Sequence, residues 1–285
     1  MSTPVDGVDV LGALSPSRAA DFMSCPLLYR FRTIDRLPEP PSPDAVRGTL
    51  IHKVLEDLFD LPAPERTPEH AHTMLEPAWA ALVEQEPELG EMLGAEAGPE
   101  IAAWLANCRD VLGRYFTLED PSRLEPAERE LYVEALLDSK LLLRGFVDRI
   151  DVAPDGSIRV VDYKSGSAPT EMFEAKALFQ MKFYALVIWK TRGIVPAMLQ
   201  LVYLGNAQIL RYVPDEAELL ATQRKVEAVW QAIRLAEESG DWRPNRGRIC
   251  SWCAHRALCP AWGGTPPPLP ERGVTVDLEG PDLPD

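Results

Sequence analysis

The sequence predicts an α/β domain, and three observations carry the prediction. Two apolar, β-branched runs, Leu141 to Val152 and Ile158 to Tyr163, flank the turn signal Pro154-Asp155-Gly156 and read as a hairpin. Segments of good helix formers stand before and after it, and a second pair of short strands is expected over Met198 to Val213. A chain of 285 residues with 46% hydrophobic content can bury a sizeable core. We read it as one domain, because its chemically distinctive residues are spread over both ends and the middle.

At the N-terminus, Met1 to Gly12 has neither a basic start nor an apolar run of signal-peptide type. A cytoplasmic chain with reduced thiols is therefore expected. Pro38 to Pro43 is a stiff connector. Arg47 to Glu56 reads as a helix in which Leu50, Ile51, Val54 and Leu55, with Leu58 beyond, share a broad apolar arc. His52 and Glu56 lie one turn apart at its border. Residues 61–126 read as an acidic, Ala- and Leu-rich helical insertion, with Trp79 and Trp104 in its core and Cys108 as a small buried helix residue. Beyond the hairpin, Glu174 to Lys190 is a helix that sets Gln180 and Tyr184 on one face, and Glu216 to Glu238 is a long helix. The tail, 263–285, is rich in Pro and acids and is expected to be disordered. Ala185 to Trp189 is far too short to span a bilayer, so no membrane partner is expected.

The hairpin carries the chemistry. On paired strands Asp148 and Asp162 lie close together, and period-two alternation puts Lys164 on the face of Asp162 with Tyr163 pointing away. Two carboxylates side by side call for a cation. A divalent metal bound there activates a water, and the Lys164 ammonium orients that nucleophile or neutralises charge building on a phosphate. His52 can reach from its helix into the carboxylate pair as a nitrogen donor. The plainer alternatives are a solvated Asp/Lys strand face and a surface histidine. Val160-Val161 before the acid and Gly166 after the lysine favour a core strand emerging at a site.

Three cysteines form a C-x2-C-x5-C run, Cys250, Cys253 and Cys259, the last followed by Pro260; Cys25-Pro26 lies near the other end. Four thiolates imply a metal clasp between the ends. Zinc more often shows two C-x2-C pairs, whereas three close cysteines with a following Pro suit iron–sulfur ligation. Spacing leaves both open.

In chain order, Leu14-Ser-Pro-Ser-Arg18 through Cys25-Pro26, the Gly48, His52, Glu56 element, Asp148, Asp162-Tyr163-Lys164, the Gln180, Tyr184 helix and the cysteine triplet form a pattern. It resembles the RecB-type branch of the PD-(D/E)xK nuclease superfamily, including iron–sulfur members such as the AddB nuclease domain and the small CRISPR-associated adaptation nucleases. The resemblance implies a restriction-endonuclease-like core, a mixed central sheet flanked by helices, with the helical insertion and a cysteine-clasped lobe. That lobe would comprise 14–36 and 242–262 of a nuclease domain spanning 1–262. His52, Asp148, Asp162 and the Tyr163 carbonyl are implied as ligands of Mg²⁺ or Mn²⁺, the imidazole tilting the preference toward Mn²⁺. Lys164 is implied as the catalytic lysine, with Gln180 and Tyr184 lining the site. Cys25, Cys250, Cys253 and Cys259 are implied as ligands of a 4Fe–4S cluster. The implied activity is metal-dependent hydrolysis of DNA, as an exonuclease in repair or recombination.

A net charge of −15 repels a polyanion as a whole, so distribution decides. Arg243, Arg246, Arg248 and Arg256 cluster with Trp242 and Trp252 beside the cysteines, while Arg18, Arg30, Arg32 and Arg36 flank Cys25. Joined by the clasp, they would form a basic, aromatic patch suited to single-stranded DNA ends. The competing reading pairs these arginines with acids such as Asp35 and Asp241. The chain has no Gly-x4-Gly-Lys-Ser/Thr loop, so unwinding would fall to a separate helicase. The rival function is a catalytically silent DNA-binding or recruitment subunit with the same fold. The intact His52, Asp148, Asp162 and Lys164 set argues against it.

Overall fold

The computed structural model describes residues 4–5, 8–92, 98–168 and 171–270. Strands β1 (Pro4–Val5) and β2 (Val8–Asp9) pair with each other, and β3 (Gly12–Leu14) joins the main sheet. Ser15 then caps α1 (Pro16–Ser24) by accepting from the Arg18 N–H, with Pro16 in the first turn. Cys25 is extended and interrupts the expected opening helix, so Pro26 restarts the chain as α2 (Pro26–Tyr29), which widens into a π-type turn over Arg30–Ile34. Ser42 caps α3 (Pro43–Leu58), the His52 helix. The insertion resolves into α4 (Pro68–Gln85), α5 (Glu88–Met92) and α6 (Gly98–Leu118). Its Trp79 is buried, whereas Trp104 is only half-buried, with its Nε1 donating to the Pro43 carbonyl. Cys108 is fully buried, and desolvation pushes its thiol up to about 11.

Three antiparallel strands follow: β4 (Glu128–Leu136), β5 (Leu141–Val152) and β6 (Ile158–Lys164). The expected turn joins the last two, with Gly156 at φ 85° where a side chain would be strained. α7 (Glu171–Arg192) crosses to β7 (Met198–Tyr203), which runs parallel to β6 and is closed off by antiparallel β8 (Gln208–Tyr212). The final helix, α8 (Glu216–Ser239), starts at an Asp215/Glu218 capping box and stops at left-handed Gly240. Among the described residues no helix is long and apolar enough to cross a membrane.

The six-stranded sheet is mixed and covered on both faces. Side-chain alternation sorts β6 and β7 between two cores: Val160, Leu199 and Leu201 pack with α1, α2, α7 and α8, whereas Val161, Val202 and Leu204 pack with α3, α4 and α6. Burial on both faces explains why these strands read as continuous apolar runs. One feature of the pairing sets the position of the site. Strand β4 lies along one edge of β5 from Ile150 to Leu142, so β3 and β6 must share the other edge. They meet only its two ends, β3 at Leu141–Leu143 and β6 at Arg149–Val152. Between them the edge of β5 opens, and Asp148 stands at the fork.

Of the tail expected from Gly263, residues 263–270 run along the opening lobe, where the Arg30 guanidinium donates to the Pro267 carbonyl. Residues 271–285 lie outside the described residues.

Candidate active site

The ladder between β5 and β6 ends at the Arg149–Val161 pair, one step short of Asp148 and Asp162. The Tyr163 N–H donates instead to Asp148 Oδ2 at 2.6 Å. The Asp148 carboxylate thereby takes over a backbone donor on the neighbouring strand and fixes itself beside Asp162. Asp162 is 2% exposed; its Oδ2 accepts no hydrogen bond of good geometry and lies 3.0 Å from Lys164 Nζ. Burial pushes the Asp162 carboxyl up to about 6, with Lys164 working the other way. For Lys164, burial favours the neutral amine, but Asp162 and Asp148 outweigh it and hold the ammonium above its usual range.

Helix α7 supplies the wall. Gln180 Oε1 accepts from Lys164 Nζ at 3.0 Å, and Gln180 Nε2 donates to Asp162 Oδ1 at 3.1 Å and to the Tyr184 hydroxyl at 3.4 Å. The one-turn spacing read from sequence thus becomes a bracket around the Asp162–Lys164 pair. Gly145 makes room for it, since a Cβ there would come within 2.9 Å of the Tyr184 ring. From the opposite side α3 buries Leu50, Ile51, Val54, Leu55 and Leu58 and leaves His52 at the edge of the cleft. His52 Nε2 is 2.9 Å from the Tyr163 carbonyl oxygen and Nδ1 is 3.6 Å from Asp148 Oδ2. Glu56 turns away to Lys53.

One residue of the cluster escaped sequence reasoning. Glu130 on β4 stands opposite Asp148, because its neighbours Arg129 and Leu131 pair with Arg149 and Val147. Its Oε1 lies 3.9 Å from His52 Nδ1, and burial together with Asp148 pushes its carboxyl up to about 7. His52, Glu130 and Asp148 have the geometry to hold a metal ion, with donor atoms all within 4.8 Å of one another. The carboxylates and the imidazole suit a hard divalent cation.

The four cysteines come together away from this cleft. Cys25, Cys250, Cys253 and Cys259 line one cavity with Phe31 and Ile249. Backbone N–H groups of Asn245 and Gly247 point at Cys25 Sγ (3.3 Å) and Cys250 Sγ (3.5 Å), as donors to a ligating thiolate do. Desolvation raises the Cys253 thiol, with the three neighbouring cysteines adding to it. Arg243, Arg246, Arg248 and Trp252 belong to the same lobe, and Trp252 is 80% exposed. Arg246 and Arg256 lie over the Trp262 ring, at 4.9 and 3.8 Å from its centroid. The flanking set is less basic than expected. Arg30 is buried against Asp35, Arg32 is held by Asp21 and Glu39, Arg243 meets Asp241, and Trp242 is buried and stacked on Tyr29.

Comparison with known proteins agrees with this geometry. Gene 69 protein of Mycobacterium phage D29 is 28% identical over 203 residues, covering 63% of this chain and 70% of that protein. In fold, an exonuclease candidate from Eubacterium rectale superimposes with a TM-score of 0.56 at 14% identity, over 86% of this chain and 88% of that one. A model of the PD-(D/E)XK nuclease superfamily matches residues 13–260, from β3 through the last cysteine and including the whole Asp148, Asp162, Lys164 set, and the chain belongs to that superfamily.

Proposed function

We propose that this nuclease is a RecB-type exodeoxyribonuclease that degrades DNA from single-stranded ends during repair, recombination or related processing. The observation that carries the reading is the Asp148, Asp162 and Lys164 set, gathered at a fork in the sheet and facing a cleft. A bound Mg²⁺ or Mn²⁺ would lower the pKa of a coordinated water and neutralise charge on the scissile phosphate. His52, Asp148 and Asp162 would hold that cation, with the Tyr163 carbonyl bordering it. Lys164, pinned by Asp162 and Gln180, presents its ammonium where the water must be oriented and where negative charge develops. Tyr184 supports Gln180 from the next turn.

The cysteines would hold a 4Fe–4S cluster: Cys25, Cys250, Cys253 and Cys259 line one cavity, and three close cysteines with a following Pro suit iron–sulfur ligation. The arginines and Trp252 of this lobe offer an approaching strand charge and a stacking surface, which suits a single-stranded end. With no ATP-binding loop in the chain, duplex substrates would be opened by a separate helicase.

Digestion of end-labelled single- and double-stranded DNA in Mg²⁺ and in Mn²⁺ tests the reading. Wild type should release labelled nucleotides from single strands, and Lys164→Ala should lose on the order of 10²-fold or more with the fold intact, as other electrostatic stabilisers do. If wild type carrying its cluster cleaves neither DNA nor RNA in either metal, the protein is instead a silent binding subunit.

A further inference from the structure

Two aromatic rings stand beside the catalytic fork with no core to fill. Alternation along β4 turns Val133 and Ala135 into the core shared with α7, and turns Tyr132 and Glu134 to the opposite face. On β5 the register partner of Tyr132 is Phe146. The two rings lie 5.4 Å apart at an angle of 58°, and the Tyr132 hydroxyl donates to Glu134 Oε2 at 2.8 Å, which holds its ring in place. Helices α3, α4 and α6 cover that face of the sheet over β6 and β7, where Val161, Val202 and Leu204 are buried. Over β4 and β5 the cover stops: Tyr132 is 38% exposed, Phe146 is half-buried, and neither ring belongs to an apolar cluster among the described residues.

A cross-strand aromatic pair steadies a sheet wherever it lies, but this one is continuous with the candidate active site. Phe146 lines the same cleft as Asp148, Lys164 and Gln180. It precedes Asp148 by two residues, about 6.8 Å along a strand, a separation that one nucleotide bridges. We propose that Phe146 and Tyr132 form a stacking platform for the unpaired base next to the scissile phosphate. A paired base keeps both of its faces inside the duplex stack, whereas an unpaired one can lie on a ring. The platform therefore selects single-stranded DNA at the cleft itself, apart from Trp252 in the lobe, and does so without base preference, since every base has a π-face. This rests on the nuclease reading and deepens it by naming positioning residues for its substrate.

End-labelled single strands, each with one abasic residue at a different position, test the platform on the full-length protein carrying its cluster. Wild type should slow by about five-fold or more when the missing base falls at one register from the cut, the loss expected for one stacked base. Phe146→Leu stays apolar but loses the ring; it should raise KM for intact single strands by a similar factor, change kcat less, and abolish the abasic pause, while Phe146→Tyr restores both. Leu235→Ala, exposed on α8, should match wild type. Binding is read apart from cleavage in Lys164→Ala, where 2-aminopurine at that register should be quenched on binding and should stay bright once Phe146→Leu is added. No pause at any register in wild type, or an unchanged KM and pause in Phe146→Leu, overturns the proposal. Should Phe146→Leu fail to fold by circular dichroism, Tyr132→Leu at the exposed position decides by the same criteria. Wild type that cleaves nothing would sink the nuclease reading, and the 2-aminopurine signal would then decide the platform alone.

Discussion

Asp162 and Glu130 both stand at the candidate metal site, in surroundings that resist ionisation. Each has a carboxyl raised above its ordinary value, to about 6 and about 7, chiefly by burial and then by other nearby charges. Raised acids stabilise the fold only while protonated. Their contribution is complete below the ordinary carboxylate range near pH 4 and is lost as pH climbs through 6 and 7. Metal-free protein should therefore lose melting temperature over that interval, and Glu130→Gln, which cannot ionise, should lose less. Other carboxylates shift the opposite way, Glu119 and Glu39 among them, so the informative quantity is the difference between wild type and variant at each pH. Added Mn²⁺ should raise the wild-type melting temperature strongly at about pH 7.5 and weakly at about pH 5, because protons and metal compete for the same oxygens. A variant and wild type with parallel pH profiles would show that Glu130 stays ionised throughout.

Between residues and fold stands β5, whose consecutive residues serve different faces. Asp148 looks into the cleft, while Arg149 is buried on the other side, where it binds Glu119 through two bonds of 2.8 and 2.9 Å, donates to the Tyr163 hydroxyl and meets Asp151. Gln200 supports Glu119 in turn. Tyr163 is thus pinned by its hydroxyl behind the sheet and by its peptide in front, which holds Asp162 and Lys164 in place. Removing one partner of so buried a pair strands the other charge. Glu119→Ala should cost about 3–5 kcal/mol in urea unfolding, and a loss below about 1 kcal/mol would mean that water reaches Arg149. None of this network was legible beforehand, because Glu119 follows α6 at the end of the insertion and is distant in sequence from the hairpin. The hairpin itself was legible, with β5 matching Leu141 to Val152, since period-two alternation and a Pro-Asp-Gly turn are local signals. β4 was missed: Glu128–Leu136 alternates properly, but its Glu and Arg residues are poor strand formers, and with it went Glu130. That Gln180 and Tyr184 share a face was legible because one helical turn fixes their relation, whatever the tertiary fold.

Across the whole molecule, the chain must bring Cys25 to cysteines more than two hundred residues later, and the energetics of that closure make the strongest test of the clasp. The lobe has a modest apolar base of its own: Phe22, Tyr29 and Trp242 form a ring cluster, His255 packs on Phe31 and pairs with Glu39 at 2.7 Å, and Arg30 binds the segment leading out at Pro267. These contacts place the sulfurs, and under the proposed clasp the metal binding energy there would be folding energy, as in other thiolate sites. Cys25→Ala and Cys259→Ala, purified anaerobically, should lose iron and visible colour together with a large drop in melting temperature. Cys108→Ala supplies the control: its thiol lies in the core around α6, far from the lobe, and deleting one sulfur should leave iron untouched and cost no more than a small cavity does. Colourless wild-type protein containing zinc would replace the cluster with a zinc clasp, and unchanged metal content in Cys25→Ala would remove that cysteine from the set altogether. The nuclease fold predicts a further pattern. The fork shares the Val147, Val160 and Tyr184 core with the lobe but holds its acids through hydrogen bonds of its own, so loss of the clasp should weaken capture of single-stranded ends through Arg246, Arg248 and Trp252 before it abolishes Mn²⁺ binding at Asp148 and Asp162. Equal loss of both in the same variant would show that the lobe is required to assemble the catalytic fork.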